Sequence, residues 1–148
     1  MTPCAPTVIN AYDKALEIDP KDSNSWCNKG IALSSLGSYD EAMKAFDKAL
    51  EINPQNSLIW SNKGLALFNS GKYKEAITAY DRTIEINPND TEAWNNIGSS
   101  FFWMGNYTEA IEAYNKTIEL GPKFSLAWYN RACVYSLIND AGQSINEY

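Results

Sequence analysis

Catalysis needs nucleophiles, bases or metal ligands held in company, and this sequence supplies few. It contains no histidine. That removes His-based general bases, Ser-His and Cys-His pairs and most zinc sites together. Its three cysteines, Cys4, Cys27 and Cys133, are odd in number and widely spaced, which suits free thiols in a reducing compartment better than a disulfide framework. Neither Cys27 nor Cys133 has a basic neighbour that would activate it. Gly64 and the pair Gly71-Lys72 stand too far apart for a phosphate loop, and Tyr73 follows where Ser or Thr is required. The residues therefore point to no catalytic group, no metal site and no cofactor.

Binding chemistry is better represented. Asn28, Asn62, Asn96 and Asn130 recur every 34 residues, each two positions after a tryptophan. A side-chain amide carries donors and an acceptor, so a row of them can pair with the backbone of an extended peptide whatever its side chains. Leu65, Phe68, Phe102, Trp103 and Tyr129 fall on the same helix stripe by spacing, with Ile31, Cys27, Asn95 and Cys133. Glu92 is the only ionisable carboxylate or base on it. Aromatic groups gathered in a concavity mark a binding surface.

The elements that must hold these residues are written in the same beat. W-x-N-K-G-x-A-L begins at Trp26 and again at Trp60, and Trp94 and Trp128 keep the phase. Tyr39, Tyr73 and Tyr107, then Ala42, Ala76 and Ala110, then Pro54, Pro88 and Pro122 follow it. A fixed period of this size marks a repeat architecture, which precedes any other inference. Each unit reads as two amphipathic helices, A and B; in the first full unit A runs from about Ser23 to Leu36 and B from Tyr39 to Ile52. Asp22, Asn56 and Asp90 are candidate N-caps, Gly37, Gly71 and Gly105 close the turn, and the prolines end the B helices. Gly30, Gly64 and Gly98 leave room for the B helix of their own unit.

The set Trp, Gly, Leu/Phe, Gly, Tyr, Ala, Phe/Tyr, Ala/Thr and Pro at this spacing resembles the tetratricopeptide repeat, in the regular form found in long prokaryotic arrays. The match covers about Thr7 to Tyr148. It implies an all-α, right-handed superhelical solenoid of antiparallel helix pairs, with the A helices lining a concave surface. The units are 7–22 (a B helix alone), 23–56, 57–90, 91–124 and a truncated 125–148, in which Ala132 replaces the packing glycine, Asn139 the turn glycine and Ala141 the tyrosine. The Asn row is similar to the asparagine ladder of O-linked N-acetylglucosamine transferases.

The resemblance implies a protein- or peptide-binding scaffold, holding an extended neutral or apolar segment along the groove. Alternatives are self-association through the terminal half-repeats, or a targeting arm of a larger enzyme such as a glycosyltransferase. Chaperone-binding members carry a clamp of Lys, Asn and Arg for a two-carboxylate tail. The places are taken here by Cys27, Ile31, Asn62, Glu92 and Asn96, or one unit on by Ser61, Leu65, Asn96, Leu126 and Asn130, so no carboxylate-clamp partner is expected. A formal charge of −6 argues against nucleic acid. No stretch has the length and apolarity of a membrane span, and the start shows no basic patch followed by an apolar run. A cytoplasmic location is the expectation.

Overall fold

The computed structural model describes the backbone of residues 5–146 and the side chains of residues 7–139, so Cys4, the side chain of Ala141 and Tyr148 lie outside the described residues. Eight α-helices follow one another: α1 Ala5–Ile18, α2 Ser23–Ser35, α3 Tyr39–Ile52, α4 Ser57–Asn69, α5 Tyr73–Ile86, α6 Thr91–Trp103, α7 Tyr107–Leu120 and α8 Ser125–Asn146. They pack as antiparallel pairs, α2 with α3, α4 with α5 and α6 with α7, each B helix also touching the next A helix. Consecutive A helices α2, α4, α6 and α8 meet directly as well.

Local chemistry accounts for the boundaries. The side chains of Asp22, Asn56 and Asp90 accept hydrogen bonds from first-turn N–H groups of α2, α4 and α6, satisfying donors that the helix cannot. Gly37, Gly71 and Gly105 sit at φ 76°, 78° and 79°. The N–H after each closes five residues back, Ser38 to Leu33 O at 3.0 Å, Lys72 to Leu67 O at 2.9 Å and Asn106 to Phe101 O at 2.9 Å, the Schellman arrangement that an αL glycine permits. Asn139 stands where the fourth glycine belongs, and the chain does not turn there: α8 runs unbroken to Asn146. The truncated unit is thus one long helix, where the sequence pattern anticipates a turn and half a B helix. No non-glycine residue takes a positive φ among the described residues.

Packing between the pairs depends on glycine. A Cβ on Gly30, Gly64 or Gly98 would stand 2.8, 2.7 or 2.6 Å from a ring carbon of Phe46, Tyr80 or Tyr114 respectively. These rings are essentially unexposed, and they reach across the A helix toward its far face. The indole N–H of Trp26, Trp60, Trp94 and Trp128 donates to the carbonyl of Pro20, Pro54, Pro88 and Pro122 six residues earlier, at 2.9, 2.9, 3.2 and 3.0 Å. Each bond ties the start of an A helix to the end of the preceding B helix, so the tryptophan and proline beats are two halves of one contact.

Candidate functional site

The A-helix stripe divides in two once the helices are packed. One position after Trp26 and Trp94, Cys27 and Asn95, which spacing assigns to the groove, lie buried at the seam with the following A helix. Tyr129, one after Trp128 on the last described helix, is exposed. Burial pushes the Cys27 thiol pKa up, partly offset by the Asn62 amide. The Asn row lies beside this seam. Asn62 donates to Leu58 O at 2.9 Å and lies 4.0 Å from Cys27 Sγ. Asn130 donates to Asn95 Oδ1 at 3.2 Å. Asn96 is half-buried beside the Tyr80 hydroxyl, an oxygen that has no hydrogen bond of good geometry and whose pKa burial pushes well up. Asn28, with no described A helix before it, is exposed.

The apolar half of the stripe forms two recesses between neighbouring A helices. One, of about 110 Å³, is lined by Ile31, Ser34, Ser35, Asn62, Leu65 and Asn69, with Phe46 of α3 at its base. The other, of about 230 Å³, gathers Phe102, Trp103, Tyr129, Asn130, Ser99 and Cys133, with Tyr114 of α7 below. Tyr114 donates from its hydroxyl to Ser99 Oγ at 3.2 Å. Trp103 is 62% exposed and Tyr129 66%. Among the five tryptophans, Trp103 is the one whose indole N–H donates to no group of the described residues. Such a ring, apolar in body and with no described protein partner at its N–H edge, is suited to an incoming ligand.

Tyr73 joins this surface without having been marked by its spacing, which reads as core. Its ring stacks on Trp103 at 6.4 Å and 15° and meets Phe68 edge-on at 5.3 Å. Phe102 in turn packs against Trp103 at 5.7 Å and Tyr107 at 5.9 Å. A continuous aromatic run therefore crosses two units near the A–B turns and brings together the sequence-marked Phe68, Phe102 and Trp103. Tyr129 joins Phe102 and Trp103 in the larger recess, whereas Leu65 belongs to the smaller one.

A second row escaped the sequence reading altogether. Three residues past the Trp, Lys29, Lys63 and Arg131 reach back sixteen residues to Asp13, Asp47 and Asn115 on the preceding B helix, at 2.5, 2.6 and 2.6 Å. Each cation also lies over the Trp of its own unit, 4.7 to 5.4 Å from the ring centroid. In the third full unit the place is taken by buried Ile97, and Asp81 has no such partner. Its pKa is raised by partial desolvation and then by Glu85. The repeat of Lys in W-x-N-K-G was the available signal.

Antiparallel helix pairs stacked at a 34-residue period define a helical-repeat solenoid. The chain belongs to the tetratricopeptide repeat family: residues 11–125 match the family described as the cytochrome c-type biogenesis protein H TPR domain, and residues 113–146 match a further tetratricopeptide repeat. Among solved structures it is similar to the crystal structure of MamA, at 26% identity over 93% of this chain and 81% of that one, with a TM-score of 0.82. The MamA RS-1 ArsTM double mutant matches at 22% identity, covering 96% and 80%, TM-score 0.83. The first TPR of Spaghetti (RPAP3) bound to the HSP90 peptide SRMEEVD matches at 23%, covering 82% and 96%, TM-score 0.75. Among curated proteins none matches significantly. Tetratricopeptide domains are in general protein-binding modules. No helix of the described residues is long and apolar enough to cross a membrane.

Proposed function

We propose that the concave A-helix face holds an extended, neutral or apolar segment of a protein partner. The observation that carries this reading is the recess around Trp103 and Tyr129, where two largely exposed aromatic rings and Phe102 meet without a charged side chain. The RPAP3 structure contains an acidic peptide; here Cys27, Ile31, Asn62, Glu92 and Asn96 offer no cation to such a ligand, which favours a neutral one. The Asn row has a narrower part in this reading than a free ladder. The side-chain oxygens of Asn62 and Asn130 accept no hydrogen bond among the described residues, so a peptide N–H is the partner they can take. Cys27 and Cys133, both free, support a reducing compartment, and we place the module in the cytoplasm.

The test begins with peptides selected from a displayed random library on the wild-type protein. Replacing Trp103 and Tyr129 together by Ala should weaken the selected peptides at least about tenfold, the loss of two aromatic anchors, with helicity unchanged. Replacing Asn62 and Asn96 together by Ala should cost less. Affinity indifferent to the Trp103/Tyr129 pair would refute the reading. Self-association is a second reading, favoured by the exposed face of α8, where Trp128, Tyr135 and Ile138 are each 40% exposed or more. Sedimentation across a hundredfold concentration range tests it, and a constant monomer mass sinks it.

A further inference from the structure

The B-helix rings beneath the A-helix glycines end in different ways. Phe46 is carbon to its tip. Tyr114 donates from its hydroxyl to Ser99 Oγ at 3.2 Å. Tyr80 has no exposed surface, and its hydroxyl has no hydrogen-bond partner of good geometry among the described residues. One unit before Ser99 its place is taken by Leu65, which has no polar side-chain atom to offer. Phe46 shows that carbon alone fills this site, so packing does not call for the oxygen, and a buried hydroxyl left unpaired destabilises. The Asn row varies at the same place. Phe46 with Asn62, and Tyr114 with Asn130, line a common recess. The 34-residue period sets Asn96 against Tyr80 in the same way, its amide beside the hydroxyl. The amides of Asn62 and Asn130 already donate inward, to Leu58 O and Asn95 Oδ1. Among the described residues the Asn96 amide makes neither bond, to Glu92 O on its own helix or to Ser61 on the preceding A helix. One rung of the row and one buried hydroxyl are therefore both unsatisfied, and they lie together.

We propose that Tyr80 positions Asn96 for a bound segment: as a backbone N–H of the ligand is accepted at Asn96 Oδ1, the Asn96 amide nitrogen donates to the Tyr80 hydroxyl oxygen. The proposal rests on the reading that the concave face holds an extended segment. A hydrogen bond accepted at one end of an amide polarises it and strengthens the bond its N–H makes at the other. The hydroxyl thus gains its partner in the complex, whereas the rungs at Asn62 and Asn130 are anchored beforehand. Proline and N-methylated residues have no N–H to give, so the rung at Asn96 discriminates against them at the ligand position that meets it.

The probe is the tightest peptide selected on the wild-type protein from the random library. Tyr80→Phe should weaken it about two- to four-fold, toward the lower end of what one hydrogen bond contributes. That loss should vanish in an Asn96→Ala background and persist in Asn62→Ala, because the hydroxyl acts through one rung. Among singly N-methylated versions of the peptide, one should lose affinity for wild type and lose less for Asn96→Ala. Tyr80→Phe should melt no lower than wild type, since the free chain loses no bond. Tyr114→Phe, which loses the bond to Ser99, should melt lower. Unchanged affinity of Tyr80→Phe, a loss that survives Asn96→Ala, no N-methylated peptide coupled to Asn96, or a lowered melting temperature of Tyr80→Phe would each overturn the proposal. The wider reading is judged at Trp103 and Tyr129. A peptide weakened by their replacement but indifferent to Tyr80→Phe leaves that reading standing and ends this one, and a library without binders ends both.

Discussion

Replacing Gly64 by Ala probes the contact on which every helix pair depends. The added Cβ would sit 2.7, 2.8 and 2.9 Å from Cε1, Cδ1 and Cζ of Tyr80, against an ordinary carbon–carbon separation of about 3.5–4 Å. Tyr80 has no exposed surface, so its ring has no open side toward which to retreat. Over-filling a packed site of this kind costs about 1–3 kcal/mol. Alanine returns about 0.8–1 kcal/mol through helix propensity, leaving a net loss of up to about 2 kcal/mol, toward the upper end because three ring carbons are met inside 3.0 Å. At this chain length that is a fall in melting temperature of up to about 8 °C. Urea and thermal unfolding followed by far-UV circular dichroism measure it. The control is Ala132→Gly, at the equivalent place on α8, where Ala132 is exposed; there the glycine should be the weaker residue, by up to about 1 kcal/mol. A Gly64→Ala protein as stable as wild type would show that α4 and α5 do not approach as described.

The indole–proline bond and the unpaired acid give two more. Trp60→Phe removes the bond to Pro54 O and weakens the cation contacts of Lys63 and Arg82 with that ring. A loss of about 1–2 kcal/mol is expected from one hydrogen bond and a cation–π contact, measured by urea unfolding, and no loss would refute the tether. Asp81→Asn copies Asn115 one unit on. Because the folded pKa of Asp81 is raised from 3.8, the native state favours its protonated form, and the charged form is a burden at neutral pH. The substitution should therefore stabilise at pH 7 by about a few tenths of a kcal/mol, as befits an exposed group. The gain should disappear as the pH falls through the raised value toward 3.8. A gain that grows in acid contradicts this sign.

Most of the helical frame is legible along the chain because its causes are local. Caps at Asp22, Asn56 and Asp90, left-handed glycines and helix-ending prolines each act within a few residues. The C-terminal unit shows the limit of that logic: Asn can enter the αL region, but without glycine the turn at 139 is not compelled, and the helix continues. The site was legible in part. Spacing finds Trp103, Phe102 and Tyr129 on one stripe, yet it cannot tell that the stripe is split by the seam between A helices. Cys27 with Asn62, and Asn95 with Asn130, are partners 35 residues apart, one step off the repeat. Only the stacking of units brings them together. Lys29 and Lys63 recur in phase, as do Asp13 and Asp47, but their pairing crosses from one unit to the next.

The same crossing links stability to recognition. Phe46 and Tyr114 have almost no exposed surface, yet they form the bases of the two concave recesses, because the glycine in each A helix lets a B-helix ring pass beneath it. The groove floor is therefore made of core residues, and its polarity is decided there. Phe46 offers only carbon to the smaller recess, while Tyr114 brings a hydroxyl bonded to Ser99 in the larger one. A ligand residue placed over the first would meet an apolar base; one placed over the second would meet an apolar wall with a polar pair at the bottom. Exchange of Phe and Tyr at these positions changes one buried oxygen and no surface side chain. Such an exchange would retune what the concave face accepts, and it leaves a buried hydroxyl unpaired wherever the new tyrosine lacks a Ser99, as at Tyr80.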